Sequence, residues 1–178
     1  MEVTINKLAK KARVKMPDLL TRPVGRRMYK KLLEMLTIVE SEEVVVLDFE
    51  GIKVIDSSFI DEFIVKILSE ERGFYVKLRN ISSIAERNIA SVFKSYDDYN
   101  KKIVVMTEDI CLNNNFYIGA LQSVEEDIFN YVRVNKSATV KELMHISGLE
   151  EEQVLETVNK LKTLHIIREQ SRGVFITL

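Results

Sequence analysis

Twice between residues 44 and 106 the chain passes from a short run of β-branched or aromatic residues to a longer stretch of helical period, and a third such run closes the stretch. The runs at residues 44–47, 74–78 and 103–106 have the length and composition of strands. Val44-Val45-Val46-Leu47 does not alternate, which predicts a strand covered on both faces, as a central parallel strand is. Met28, Leu32, Met35, Leu36 and Val39 share one face of a helix, and Pro23 can open it at the first turn, where a missing N–H costs nothing. Phe59, Ile60, Phe63, Ile64, Ile67 and Leu68 form a broad apolar stripe. Ser83 and Glu86 predict a capping box before a further helix that buries Ile84, Ile89, Val92 and Phe93. Helices alternating with strands, joined by right-handed crossovers, give an α/β domain over residues 1–108 with an open, mostly parallel sheet.

Residues 109–120, DICLNNNFYIGA, break both periods with an Asn cluster and Gly119, and are expected to form a linker. A second domain is expected over 121–178. Ser123 and Glu126 predict a capping box for a helix with Val124, Ile128, Phe129 and Val132 on one face, and Thr139 and Glu142 predict another before Leu143 and Met144. That second helix ends at Ser147-Gly148. A third carries Val154, Val158 and Leu161, and the chain closes with Ile166-Ile167-Arg168, a turn through Ser171-Arg172-Gly173, and residues 174–178 as a hairpin. This order resembles the winged helix-turn-helix domains of prokaryotic transcription regulators, a small α+β fold. The resemblance implies DNA as a partner, the third helix in the major groove and the hairpin beside it. The side chains that would then contact DNA are Gln153, Asn159, Lys160, Lys162, Arg168 and Arg172. Against them stand Glu150, Glu151, Glu152 and Glu156 on the same helix, which either stabilise its N-terminus or mark a protein-docking module.

The stretch from Leu47 to Asp61 reads as strand, turn at Gly51, short apolar piece, then Asp56-Ser57-Ser58 at a helix start. Strand, "LDF-G", "VIDSS" and an amphipathic helix resemble the STAS domain of anti-sigma-factor antagonists. With Ser-Phe-Ile-Asp-Glu-Phe over residues 58–63, and Arg22-Pro23-Val24-Gly25-Arg26 before it, the chain is closer to the STAS-like family of bacterial and archaeal proteins. This resemblance spans about residues 20–106. It implies a docking surface at Asp56, Ser57 and Ser58, a kinase-like ATPase as protein partner, and phosphorylation at Ser58, with Ser57 its neighbour, as the switch. A phosphate there would meet unpaired N–H groups and the positive end of the helix dipole. Where the antagonists have Gly-Leu-Gly this chain has Phe59-Ile60-Asp61, and Asp61 and Glu62 oppose an added phosphate. The alternative is that Ser57 or Ser58 caps the helix, paired with Asp61.

Charge is balanced overall, 26 Lys+Arg against 27 Asp+Glu, but not along the chain. Residues 1–35 hold ten cations and three acids, residues 36–120 nine and fifteen, residues 121–178 seven and nine. The basic first fifth is either a localised anion-facing surface or a solvated helix face. Within it Arg22, Gly25, Arg26 and Arg27 are the candidate anion site, at a helix start but without a phosphate-loop pattern. Asp48 at a strand end fits a phosphate-accepting receiver poorly, because Glu2 is the single acid near the first strand. One cysteine, Cys111, and two histidines, His145 and His165, leave no reason to expect a metal site, a cofactor or an enzyme. No apolar run approaches the ~18 residues of a membrane span, and the start has no apolar leader core. The expectation is a cytoplasmic, non-enzymatic transcription regulator, in which the STAS-like domain docks a partner or senses a signal and a dimeric winged helix binds DNA; the alternative is a partner-switching protein that binds a kinase-like ATPase and uses the winged helix as a second docking module.

Overall fold

The computed structural model describes residues 1–15, 19–70, 73–111 and 114–178. The chain divides into two compact units, Met1–Gly119 and Ala120–Leu178.

In the first unit five strands lie in sequence order: β1 (Glu2–Thr4), β2 (Val44–Asp48), β3 (Tyr75–Arg79), β4 (Val105–Asp109) and β5 (Asn114–Ile118). The first four are parallel, with Val3 opposite Leu47, Leu47 opposite Leu78, and Leu78 opposite Thr107. β5 runs back antiparallel along β4, Thr107 opposite Phe116. The expected linker at 109–120 is therefore corrected: Asp109 closes β4, residues 114–118 form β5 paired with it, and the boundary between units falls after Gly119. Asn-Asn-Phe-Tyr-Ile has little intrinsic strand signal, and its conformation comes from pairing with β4. Gly119 has φ +132°, and a Cβ there would lie 2.5 Å from the Ile103 carbonyl oxygen, so the exit from β5 requires glycine.

Between the strands run α1 (Ile5–Lys11), α2 (Arg22–Leu36), a helix from Ser57 to Leu68, and α5 (Ser83–Asp97). The middle helix has three parts: α3 (Ser57–Ile60), a π-helical turn (Asp61–Val65) and α4 (Lys66–Leu68). Strands in sequence order joined by right-handed crossovers place every connecting helix on the same face of the sheet. The core agrees. Val3, Val45, Leu47, Val76, Leu78, Val105 and Ile118, all from one sheet face, join a single buried cluster with Leu8, Met28, Leu32, Phe59, Phe63, Ile89 and Phe93 from the helices. The opposite face mixes apolar and charged side chains: Val44 and Val46 are half-buried there, which corrects the expectation of a strand covered on both faces, and Arg79 ties β1 to β4 through Nη1 to Glu2 Oε2 (2.7 Å) and Nε to Glu108 Oε2 (3.0 Å).

Pro23 lies in the first turn of α2, as its fixed φ predicts. The α5 cap is shifted by one from expectation: Ser82, not Ser83, accepts from Ala85 N at 3.2 Å. That register turns Ala85 inward and leaves Ile84, expected in the core, 44% exposed.

The second unit comprises α6 (Ser123–Asn135), β6 (Ala138–Thr139), α7 (Val140–Ser147), α8 (Glu151–Thr163), β7 (Ile167–Ser171) and β8 (Val174–Thr177). Its strands form an antiparallel sheet in the order β6-β8-β7. Ile128, Phe129, Val132, Leu143, Val154, Val158, Leu161, Ile167 and Phe175 are buried. The expected Thr139/Glu142 capping box is present, while that of α6 is Gln122/Glu125, one residue earlier than expected. Glu125 is accordingly buried and Val124 exposed. Gly148 ends α7 in the left-handed conformation at φ +67°. Among the described residues no helix is long and apolar enough to cross a membrane.

Candidate functional site

The two sequence motifs of the first unit meet where the N-terminal half of α2 crosses the Ser57–Leu68 helix. Gly25 is buried at that crossing, and a Cβ on it would lie 2.9 Å from Glu62 Cβ and 3.2 Å from the Phe59 carbonyl oxygen. Its role is close helix approach. Its own N–H bonds the Thr21 carbonyl at 3.2 Å and is not offered to an anion.

The close approach brings cations onto Glu62. Glu62 is 3% exposed and accepts from Arg22 Nη1 (3.2 Å), Arg26 Nη2 (3.0 Å) and Lys66 Nζ (2.5 Å). Hydrogen bonds from Arg26 and then Lys66 hold its carboxyl far below the usual range, at about 2. Arg22 also pairs with Asp61 at 3.5 Å. The candidate anion site thus already holds an anion, the chain's own Glu62, and of the four residues Arg22, Gly25, Arg26 and Arg27 three are committed to this contact. Arg27 is exposed. The π turn explains how Glu62 comes to lie here. One extra residue per turn shifts the stripe of buried positions, so that Glu62, Phe63, Ile64 and Val65 are consecutively buried.

At the start of the same helix the cap is Asp56, not Ser57 or Ser58. Its Oδ1 accepts from Phe59 N at 2.7 Å and its Oδ2 from Thr21 N at 2.9 Å, so one carboxylate caps its own helix and anchors the residue before α2. Asp61 takes no part in a capping box; it accepts from Tyr96 OH at 3.3 Å. Ser57 is exposed and Ser58 half-buried, which makes the residue beside the motif-matched serine the more accessible one. Ser57, Asp61, Val92, Ser95, Tyr96 and Tyr99 line an open cleft of about 360 Å³ between this helix and α5. Burial, then the charge of Asp61, raises the Tyr96 phenol above its ordinary value. Tyr99, 86% exposed, stands at the rim. Neither tyrosine was a candidate from sequence; a Tyr pair three residues apart near a helix end was the available signal.

Asp48 does not stand as a phosphate acceptor. Its Oδ1 accepts from Asn80 Nδ2 (2.9 Å) and Glu50 N (3.0 Å), and it is 7% exposed. Among the described residues no three His, Cys, Asp or Glu side chains are placed to hold a metal ion.

In the second unit the six candidate DNA contacts do not form one free basic surface. Gln153 Oε1 accepts from Glu150 N at 3.3 Å within the α8 capping box. Lys160 pairs with Glu156 at 2.9 Å and Lys162 with Glu169 at 3.2 Å. Asn159 and Arg172 are exposed; Arg168 on β7 is half-buried, its Nε enclosed without a hydrogen-bond partner. Glu151, Glu152, Leu155 and Glu156 complete the outer face of α8.

The first unit is therefore a mixed α/β domain with a mostly parallel five-stranded sheet, consistent with a STAS-like fold. Residues 24–83, about a third of the chain, match the family described as STAS-like domain of unknown function (DUF4325). The match takes in Gly25, Arg26, Asp56, both serines and Glu62, and stops short of the second unit. No curated protein matches the chain.

Proposed function

We propose that the protein is a non-enzymatic regulator that works by docking, with the Asp56-Ser57-Ser58 helix end of the STAS-like unit facing a protein partner. The second unit is read as a winged helix whose α8 meets a basic protein surface. Helix, strand, helix, helix and hairpin, with the sheet order β6-β8-β7, support the winged-helix reading. The observation that carries docking over DNA reading is the outer face of α8. It presents Glu151, Glu152 and Glu156, while its lysines at 160 and 162 are each tied to a carboxylate. A helix that enters the major groove approaches phosphates with its N-terminal half, and three carboxylates there repel them.

For the first unit, the partner class is the one the family resemblance implies, a kinase-like ATPase, with modification of Ser57 or Ser58 setting occupancy. A phosphate on Ser57 would gain the remaining first-turn N–H groups of the helix and disturb the pairing of Arg22 with Asp61. The polar side chains around the serines are already committed to a cap and to ion pairs, which favours a binding role over catalysis.

A second reading, a transcription regulator whose winged helix binds DNA, is favoured by exposed Arg172 and half-buried Arg168 on the hairpin. One pair of variants separates the two. Charge reversal of Glu151, Glu152 and Glu156 to Lys is expected to abolish cross-linking to the protein partner. Replacing Lys160, Lys162, Arg168 and Arg172 by Gln is expected to leave duplex DNA affinity at low salt unchanged; loss of DNA binding in that variant overturns the docking reading in favour of the second.

A further inference from the structure

With most basic side chains of the candidate sites neutralised by their own chain, the positive surface that remains lies elsewhere. α1 is amphipathic: Ile5, Leu8 and Ala9 are buried, and Lys7, Lys10 and Lys11, at i, i+3 and i+4, are exposed on the opposite face. Arg13 and Lys15 follow in the exit turn, also exposed. No acid occurs in the sequence between Glu2 and Asp18, and none of these five cations makes an ion pair among the described residues. By contrast Arg22, Arg26, Lys31, Lys66, Arg79 and Lys160 are all paired. Lys10 and Lys11 complement the negative end of the α1 dipole, which accounts for two of the five. Lys7, Arg13 and Lys15 have no such local role.

We propose that α1 and its exit turn are a nucleic-acid-contacting surface that grips the phosphate backbone without reading sequence. Seven helical residues rise about 10 Å, a span over which a duplex presents several phosphates. All five cations are exposed within nine residues of chain, three of them on one helix face, and α1 has no acidic residue. An anionic membrane is the less favoured partner, because a helix that settles into a lipid interface needs an exposed apolar face, and the apolar residues of α1 are sealed into the core of the first unit. The inference does not depend on how the second unit is read.

The test is fluorescence anisotropy of the full-length protein with a short mixed-sequence DNA duplex across a salt series. With four to five phosphate contacts the affinity falls about 150- to 500-fold between ~50 and ~200 mM salt. Replacing Lys7, Lys10, Lys11, Arg13 and Lys15 by Gln abolishes binding at the lower salt, while the four-residue variant at Lys160, Lys162, Arg168 and Arg172 still binds. The triple variant K7Q/R13Q/K15Q, which keeps the dipole-stabilising lysines and hence the fold, flattens the log–log salt slope by about 3. Binding that survives both α1 variants overturns the proposal, as does no salt-dependent binding at ~50 mM. Capture by phosphatidylserine vesicles without duplex binding, or self-association that the α1 variants abolish without duplex binding, overturns it too and assigns the patch to a membrane or to the acidic face of a second copy.

Discussion

Replacing Gly25 by Ala tests whether the crossing of α2 with the Ser57–Leu68 helix is as close as the geometry makes it. In an ordinary exposed helix position this change stabilises by about 1 kcal/mol, because alanine loses less backbone entropy than glycine. Here the new methyl would sit 2.9 Å from Glu62 Cβ and 3.2 Å from the Phe59 carbonyl oxygen. Neither neighbour is the free end of a flexible chain. One is anchored at the backbone of the π turn, the other is backbone itself, so relief requires the two helices to move apart. Overpacking of this kind costs about 1–3 kcal/mol. Separation also lengthens the reach of Arg22 and Arg26 to Glu62, which adds to the loss. The expected balance is a net destabilisation of the first unit by about 1–2 kcal/mol, opposite in sign to the propensity term. Hydrogen-exchange mass spectrometry across a urea series, reading peptides over residues 22–36 and 57–68, isolates the first unit from the second. Unchanged or slower exchange in those peptides for Gly25→Ala would show that the helices are not held at this distance and would refute the assignment of Gly25 as a spacer.

Two further perturbations follow from the same site. Because hydrogen bonds to cations lower the Glu62 carboxyl to about 2 from 4.5, the stability it contributes is fully present above ~pH 4.5 and lost as the pH falls towards 2. Acid unfolding followed by far-UV circular dichroism should therefore show a steeper loss over that window for the wild type than for Glu62→Gln, which is less stable at neutral pH and flatter in acid. Asp56→Ala removes the acceptor of both Phe59 N and Thr21 N, and should cost about 2 kcal/mol of first-unit stability in urea unfolding, whereas Asp56→Asn, still a good cap, should cost less.

The alternation of strand and helix was legible because Val44-Val45-Val46-Leu47 is short and β-branched while the Met28/Leu32/Leu36 stripe keeps a helical period; the faces of β2 were not, since a run without alternation does not say which side is covered. Caps were legible where the sequence offers one register, as at Thr139 with Glu142, and displaced by a residue where it offers two. Ser82-Ser83 and Gln122-Ser123, the latter followed by Glu125-Glu126, allow both registers, and burial of Ala85 and Ile128 decides between them. β5 was illegible because its conformation is imposed by β4, a long-range cause that local composition does not record. The site was half legible. Asp56-Ser57-Ser58 and Arg22 to Arg26 were recognised as separate features, but their partner, Glu62, lies in an apolar stripe that a regular helix would turn outward, and only the π turn brings it in.

The order of the strands has a consequence for how this protein is made. Each strand of the sheet pairs with the one translated before it, from β1 to β5. As the chain leaves the ribosome, no strand has to wait for a later one to arrive and insert beside it. Each new strand finds a formed edge, its helix closes over the same growing face, and β5 is added last, antiparallel to β4. The first unit can close its sheet before the whole of Ala120–Leu178 has emerged from the ribosome.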